Sequence, residues 1–84
     1  MDDMFVVVSY DIIDDKRRNR VLNELKNYGN HVQYSVFECD LTKDQIEELR
    51  AELHRIIDKR KDSVRYYFLC GSCVEKIIVD GKSE

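Results

Sequence analysis

Apolar and polar positions along this chain follow two periods, and the changes between them divide it into elements. Met4 to Asp11, MFVVVSYD, is β-branched and aromatic, too short for a typical helix and followed by acidic turn formers, so it predicts a strand. Phe5, Val7, Ser9 and Asp11 alternate onto one side of it, and Met4, Val6, Val8 and Tyr10 onto the other, so both faces are largely apolar and both need cover. Asp14 or Asp15 then caps a helix whose apolar residues Val21, Leu22, Leu25 and Tyr28 recur at i, i+1, i+4 and i+7 until Gly29 ends it. His31 to Leu41, HVQYSVFECDL, is rich in strand formers again. Thr42 with Gln45 is a capping-box pair opening a second helix, on which Ile46, Leu49, Leu53, Ile56 and Ile57 form the buried stripe. Val64 to Cys70 is a third strand segment, and beyond Gly71-Ser72 the segment Val74 to Val79, VEKIIV, is a weaker last one.

If residues 31–41 hold two short strands joined by a sharp kink, the order is that of an α+β, ferredoxin-like βαββαβ sandwich with a short extra C-terminal strand. The awkward place is that kink, because no Gly, Pro or Asn lies within 31–41 to mark it. In such a fold both helices cover one face of the sheet. The other face stays bare unless a second chain covers it, so a homodimer is expected.

The 84 residues suit a single domain, 1–84, and at that size roughly 60% of the unfolded chain's surface is buried, which leaves a thin core. With 43% hydrophobic and 37% charged residues and no proline, the balance is that of a packed α/β chain. No apolar run is long enough to cross a bilayer and no signal-peptide pattern opens the chain, so a soluble cytoplasmic protein without membrane contact is expected. Three cysteines make at least one free thiol and argue against a disulfide framework. A net charge of −3 argues against coating of nucleic acid by charge alone, yet it conceals two basic clusters, Lys16, Arg17, Arg18 and Arg20, and Lys59, Arg60 and Lys61.

Asp11 carries the most pointed chemistry. It shares a strand face with Phe5, Val7 and Ser9, where a desolvated carboxylate needs a cation, a donor or water. In one chain it reads simply as a solvated turn acid beside Asp14 and Asp15. If two sheet faces pack about a two-fold axis near this strand end, Asp11 meets its copy, and two close carboxylates resist joint ionisation. A divalent cation removes the repulsion. Oxygen-only ligation completed by water suits Mg2+, with Mn2+ as the alternative, and such an ion serves phosphodiester cleavage.

Helical angles aim Arg18 within the apolar stripe toward the sheet, and Lys16 and Arg20 away from it. A cation in the first turn opposes the helix dipole; Asp14 and Asp15 are one compensating anion and a bound phosphate is the other. Gln33, Ser35 and Phe37 alternate onto one face, with Ser35 and Phe37 available for backbone and base contacts if nucleic acid binds. Serine-type hydrolysis is disfavoured, because nothing joins His31 or His54 to Ser35 as a base. Cys70-Gly71-Ser72-Cys73 precedes a β-like segment where a thioredoxin-type site needs a helix, and a lone pair cannot complete a zinc site in one chain, so a structural role is expected. Glu47, Glu48, Arg50, Glu52 and Arg55 read as a solvated helix face, and Lys59 to Lys61 as cations suited to that helix's C-terminal dipole.

Taken together, VVVSYDI, DDKRRNRV, LKNYG, HVQYSVFECDL and DSVRYYFL resemble the family of CRISPR-associated protein two, the small partner of the Cas integrase. The resemblance covers the chain to about residue 70. Its most specific parts are the Tyr-Asp closing the first strand and Gln33, Ser35, Val36, Phe37 and Glu38. The resemblance implies a ferredoxin-like homodimer and a metal-dependent endonuclease cutting single-stranded RNA or double-stranded DNA during spacer acquisition, part of antiviral defence. It makes Asp11 the metal-binding and catalytic acid, one from each subunit, with Tyr10, Arg18, Arg20, Ser35 and Phe37 as supporting or substrate-contacting positions. It equally implies a non-catalytic alternative, a scaffold that holds prespacer DNA and bridges integrase dimers. The family usually continues past its last strand with a segment that pairs with the other subunit. Here VEKIIVDGKSE stops soon after Val79, so that exchange is expected to be brief or absent. One acid per chain leaves hydrolysis and scaffolding both open.

Overall fold

The first strand sets the register for the whole sheet. In the computed structural model, which describes residues 3–69 and residue 78, β1 spans Met4–Asp11 and α1 spans Asp15–Leu25. They are followed by β2 (Gly29–Gln33), β3 (Val36–Leu41), α2 (Lys43–Ile56) and β4 (Ser63–Leu69). The strands form one sheet in the order β2-β3-β1-β4, and every neighbouring pair is antiparallel. This is the expected βαββαβ arrangement: each helix is the crossover that carries the chain past one strand. The weak last strand predicted for Val74 to Val79 and the Cys70/Cys73 motif lie outside the described residues.

Pairing of Val8 with Phe37 and Tyr66, and of Val6 with Cys39 and Phe68, puts these side chains on one face of the sheet. The core lies between that face and the helices: Val6, Val8, Tyr10, Phe37, Cys39 and Leu41 from the sheet against Val21, Leu25, Ile46, Leu49 and Leu53 from the helices. Burial pushes the Cys39 thiol up to about 11, so it is an inert packing group. On the opposite face Phe5, Val7, Ser9 and Val36 are only half-buried, and no element of the described chain lies over them. The expectation that both faces of β1 need cover is thus met on one side by the chain itself.

Both helix starts follow the sequence. Asp14 caps α1, its Oδ2 accepting the Arg17 N–H at 3.0 Å, and that bond holds its carboxyl below the usual range. Thr42 and Gln45 form the reciprocal capping box of α2 at 3.2 and 2.9 Å. The helix ends differ from expectation. α1 stops at Leu25, and Tyr28 packs against the core from the turn beyond it. Gly29 does not end the helix; it opens β2 opposite Cys39, where an added methyl would overlap the Cys39 sulfur and the Glu38 carbonyl. α2 likewise ends at Ile56, so Lys59, Arg60 and Lys61 belong to the turn before β4 and not to the helix.

The kink without turn residues is a two-residue connection, Tyr34-Ser35, between Gln33 and Val36, preceded by a register shift between His31 and Gln33. Its hydrogen bonds come from outside the turn. The Tyr10 N–H donates to the Ser35 carbonyl at 3.0 Å, the Tyr10 hydroxyl reaches the Tyr34 carbonyl at 3.4 Å, and His31 Nε2 lies 2.8 Å from that same oxygen. Because a carbonyl only accepts, His31 Nε2 carries a proton. The His31 ring stacks on Phe37 at 4.7 Å between centroids, which fixes the direction of its bond. Gly29→Ala is expected to lower stability by about 1–3 kcal/mol through forced displacement of β3. Thermal melting checks this, each kcal/mol lowering Tm by about 4–8 °C; an unchanged Tm would show that the strands separate there without cost.

Candidate functional site

Strand alternation separates the two residues of the Tyr-Asp pair. Tyr10 faces the helices and is 4% exposed, with burial raising its phenol and the nearby Arg18 guanidinium opposing part of that rise. Asp11 faces the uncovered side and is exposed, opposite Ser63 in the β1–β4 ladder. Tyr10 therefore supports the strand end from beneath while Asp11 is presented above it. On Asp11's side of the sheet, Ser9 pairs with Arg65 and Val36, and Val7 with Tyr67 and Glu38.

The loop after Asp11 is fixed by a residue that sequence reasoning missed. Asp62, in the turn between α2 and β4, has a side chain with 0% exposure and accepts from both turns at once. Its Oδ1 takes the Ile13 N–H at 3.2 Å and Arg17 Nη2 at 3.2 Å. Its Oδ2 takes Arg17 Nε at 2.7 Å and the Asp58 N–H at 2.8 Å. The Arg17 guanidinium first, then the Asp58 and Ile13 N–H groups, outweigh burial and hold this carboxyl well below the usual carboxylate range. In the sequence Asp62 closes a run, DKRKD, that reads as solvated charge; only its place immediately before β4 hinted at more.

Arg17, not Arg18, is thus the first-turn cation held against the folded core. Arg18 bonds Asp15, with Nη2 to Oδ1 at 2.7 Å, and approaches the Ile13 carbonyl at 3.4 Å. Its first-turn anion is Asp15, one of the two alternatives the sequence left open, and the contact with the folded core that the helical angles assigned to Arg18 is made by Arg17. Arg20 points elsewhere, lining a surface groove between α1 and α2 with Asn23, Glu52 and Arg55. The two basic clusters are joined by the Asp62 tie: Lys61 lines one surface cavity with Ile13, Lys16 and Arg17, beside Asp14 and Asp15. Lys61 is therefore an extension of the α1 cluster, whereas Lys59 lines a separate cavity with Glu47, Arg50 and His54.

Ser35 and Phe37 do not share a face as the alternation predicts, because the two-residue turn interrupts the strand between them. Ser35 is half-buried at the hairpin tip, bonded through its carbonyl to Tyr10. Phe37 is 0% exposed, stacked on His31 in the core, so its part is support of the hairpin and not contact with a base. The structure brings Tyr10, Asp11, Arg18 and Ser35 to one end of the sheet, leaves Arg20 on the helix layer and buries Phe37.

As a metal centre, the chemistry of the donors fits a hard cation. Asp11 offers exposed carboxylate oxygens with no cation paired to it within the described residues. Among those residues no three His, Cys, Asp or Glu side chains converge to form a ligand cluster. One chain thus supplies a single acid, and a symmetry-related copy with water ligands would be needed to complete the oxygen set.

A family model described as CRISPR associated protein Cas2 matches residues 4–77. A relative from Chloroflexus aurantiacus named CRISPR-associated endoribonuclease Cas2 3 is 45% identical over 93% of this chain and 84% of its own length. The crystal structure of Streptococcus pyogenes Cas2 superposes with a TM-score of 0.83 at 34% identity, covering 93% of this chain and all of that one. A chain of a partial Cas6-RT-Cas1 and Cas2 complex superposes with a TM-score of 0.79 at 28% identity, covering 90% of this chain and 89% of that chain.

Asp62→Asn keeps the shape but loses the charged acceptor, and is expected to cost about 1.5–3 kcal/mol for the charge-assisted bonds. Because the folded state lowers the Asp62 pKa, its contribution is complete above the ordinary carboxylate value near ~4 and is lost as pH falls below it. Urea unfolding at neutral and at acidic pH checks both points: the variant loses stability at neutral pH and has a flatter acid limb. Parallel pH profiles would place the acid dependence elsewhere.

Proposed function

This chain belongs to the family of CRISPR associated protein Cas2, and on that premise we propose that it is a CRISPR-associated, metal-dependent endonuclease acting on single-stranded RNA or double-stranded DNA in spacer acquisition. The observation that carries the reading is Asp11, an exposed carboxylate at the end of β1 on the sheet face that no element of the described chain covers. A homodimer packed through that face brings two copies of Asp11 together around Mg2+ or Mn2+. The ion, when bound, supplies electrophilic stabilisation of the phosphodiester. The protein's own part is positional. Asp62 and Arg17 hold the turn that follows Asp11, Tyr10 ties the strand end to the hairpin, and Lys16, Arg18 and Lys61 offer positive charge for the flanking phosphates.

A second reading has its own support. One carboxylate per chain is sparse equipment for hydrolysis, and the likeness to a chain in a Cas1 and Cas2 complex favours a scaffold that holds prespacer DNA between integrase dimers. Asp11→Ala separates the two. In the nuclease reading, Mg2+-dependent cleavage of RNA and duplex DNA falls to background while size-exclusion chromatography still shows the dimer. Cleavage that survives in the variant would overturn Asp11 as the catalytic acid. Retained integrase-dependent spacer insertion by a variant that no longer cuts would make the scaffold its working role.

The joined basic cluster has a separate test. Charge reversal at Arg18 together with Lys61 is expected to weaken duplex binding and reduce the slope of log K against log salt by roughly one per lost phosphate contact. Arg20→Glu, on the helix layer, is expected to change that slope less. Equal slopes for all variants and the parent would remove this end of the fold from the interface.

A further inference from the structure

We infer that Tyr34 is a stacking platform for an unpaired base of a single-stranded nucleic acid held beside Asp11, a step that rests on the nucleic-acid-binding reading above and names one contact within it. Tyr34 is 83% exposed, the most exposed aromatic side chain among the described residues. Exposed apolar groups scattered over a surface need no explanation, but this one stands on a tip that is held unusually firmly.

The tip contains only Tyr34 and Ser35, and each of their carbonyls accepts a hydrogen bond from outside the turn: Ser35 from the Tyr10 N–H, Tyr34 from the His31 ring and the Tyr10 hydroxyl. His31 is itself held by stacking on the fully buried Phe37, and Tyr10 belongs to the core. The ring therefore hangs from a fixed main chain and meets a ligand without the cost of ordering a loop.

Its place is equally specific. Ser9 pairs with Val36 and Tyr10 bonds Ser35, so the antiparallel register brings the hairpin tip that carries Tyr34 to the end of the sheet at which β1 closes on Asp11. Arg18, paired with Asp15, reaches the Ile13 carbonyl at 3.4 Å, two residues beyond Asp11, so its charge lies near the end of the same strand. An aromatic face at the same end of the sheet as a cation and an acid is a combination that suits a single strand, a base on the ring and its phosphate on the cation. A duplex cannot use the ring in this way, because its bases are already stacked on one another.

The chain contains no tryptophan, so Tyr34→Trp installs a single fluorescent reporter at this position. The experiment titrates the dimeric protein, in EDTA to prevent cleavage, with a uridine 12-mer and with a 12-base-pair duplex DNA. Tyr34→Ala is expected to weaken binding of the 12-mer by about 5- to 100-fold and to leave duplex affinity within about twofold, whereas Tyr34→Phe keeps the affinity of the parent. Emission of Tyr34→Trp should be quenched by the 12-mer and not by the duplex. Equal losses for both ligands in Tyr34→Ala, or full affinity together with unquenched tryptophan, would overturn this inference and leave the nucleic-acid reading standing. A parent protein that binds neither ligand would overturn that reading and this inference with it.

Discussion

A buried carboxylate between two turns decides how this small fold presents its acid. Asp62 has no solvent of its own, and its four donors come from the β1–α1 turn, the first turn of α1 and its own turn. Removing any one donor leaves a charge in a place where charge is expensive, so the three segments are constrained to stay together. Asp11 lies just before the first of these segments and Ser63, its ladder partner, just after the last. The position of the exposed acid is thus set by a buried one. A thin core, 12 buried hydrophobic residues among those described, does not rigidify its own periphery, and a polar tie at the sheet end supplies that rigidity.

Much of this architecture was legible in the chain because it follows from local chemistry. The strand alternation that set Asp11 opposite Tyr10, the capping pair Thr42 and Gln45, and the stripe Ile46, Leu49 and Leu53 depend on neighbours within a turn or two, and the structure bears each of them out. What was not legible depends on partners far along the chain. The hairpin at Tyr34-Ser35 lacks turn residues because Tyr10, 24 positions away from Tyr34, supplies part of what Gly or Asn would supply locally. Asp62 was hidden in a charged run because its partner Arg17 is 45 positions away. Gly29 looked like a helix end for the same reason: what it must avoid, Cys39, is on another strand.

The distribution of candidate residues also separates two kinds of functional support. Phe37 and Tyr10 belong to motifs that resemble the family most closely, yet both are buried, and their contribution is to hold the hairpin and the strand end in place. Asp11, Lys16 and Tyr34 are exposed and available to a ligand. A motif read as a set of contacts is therefore partly a set of props, and burial distinguishes them where residue type does not.

The way the hairpin tip is held has a consequence for how the surface can change. Its external hydrogen bonds end on the carbonyl oxygens of Tyr34 and Ser35, and every residue has such an oxygen. The fold therefore specifies the path of the main chain at residue 34 without specifying the side chain. Exchange at that position retunes what the sheet end touches while the scaffold is conserved, so recognition and folding are separately adjustable at the point where they come closest.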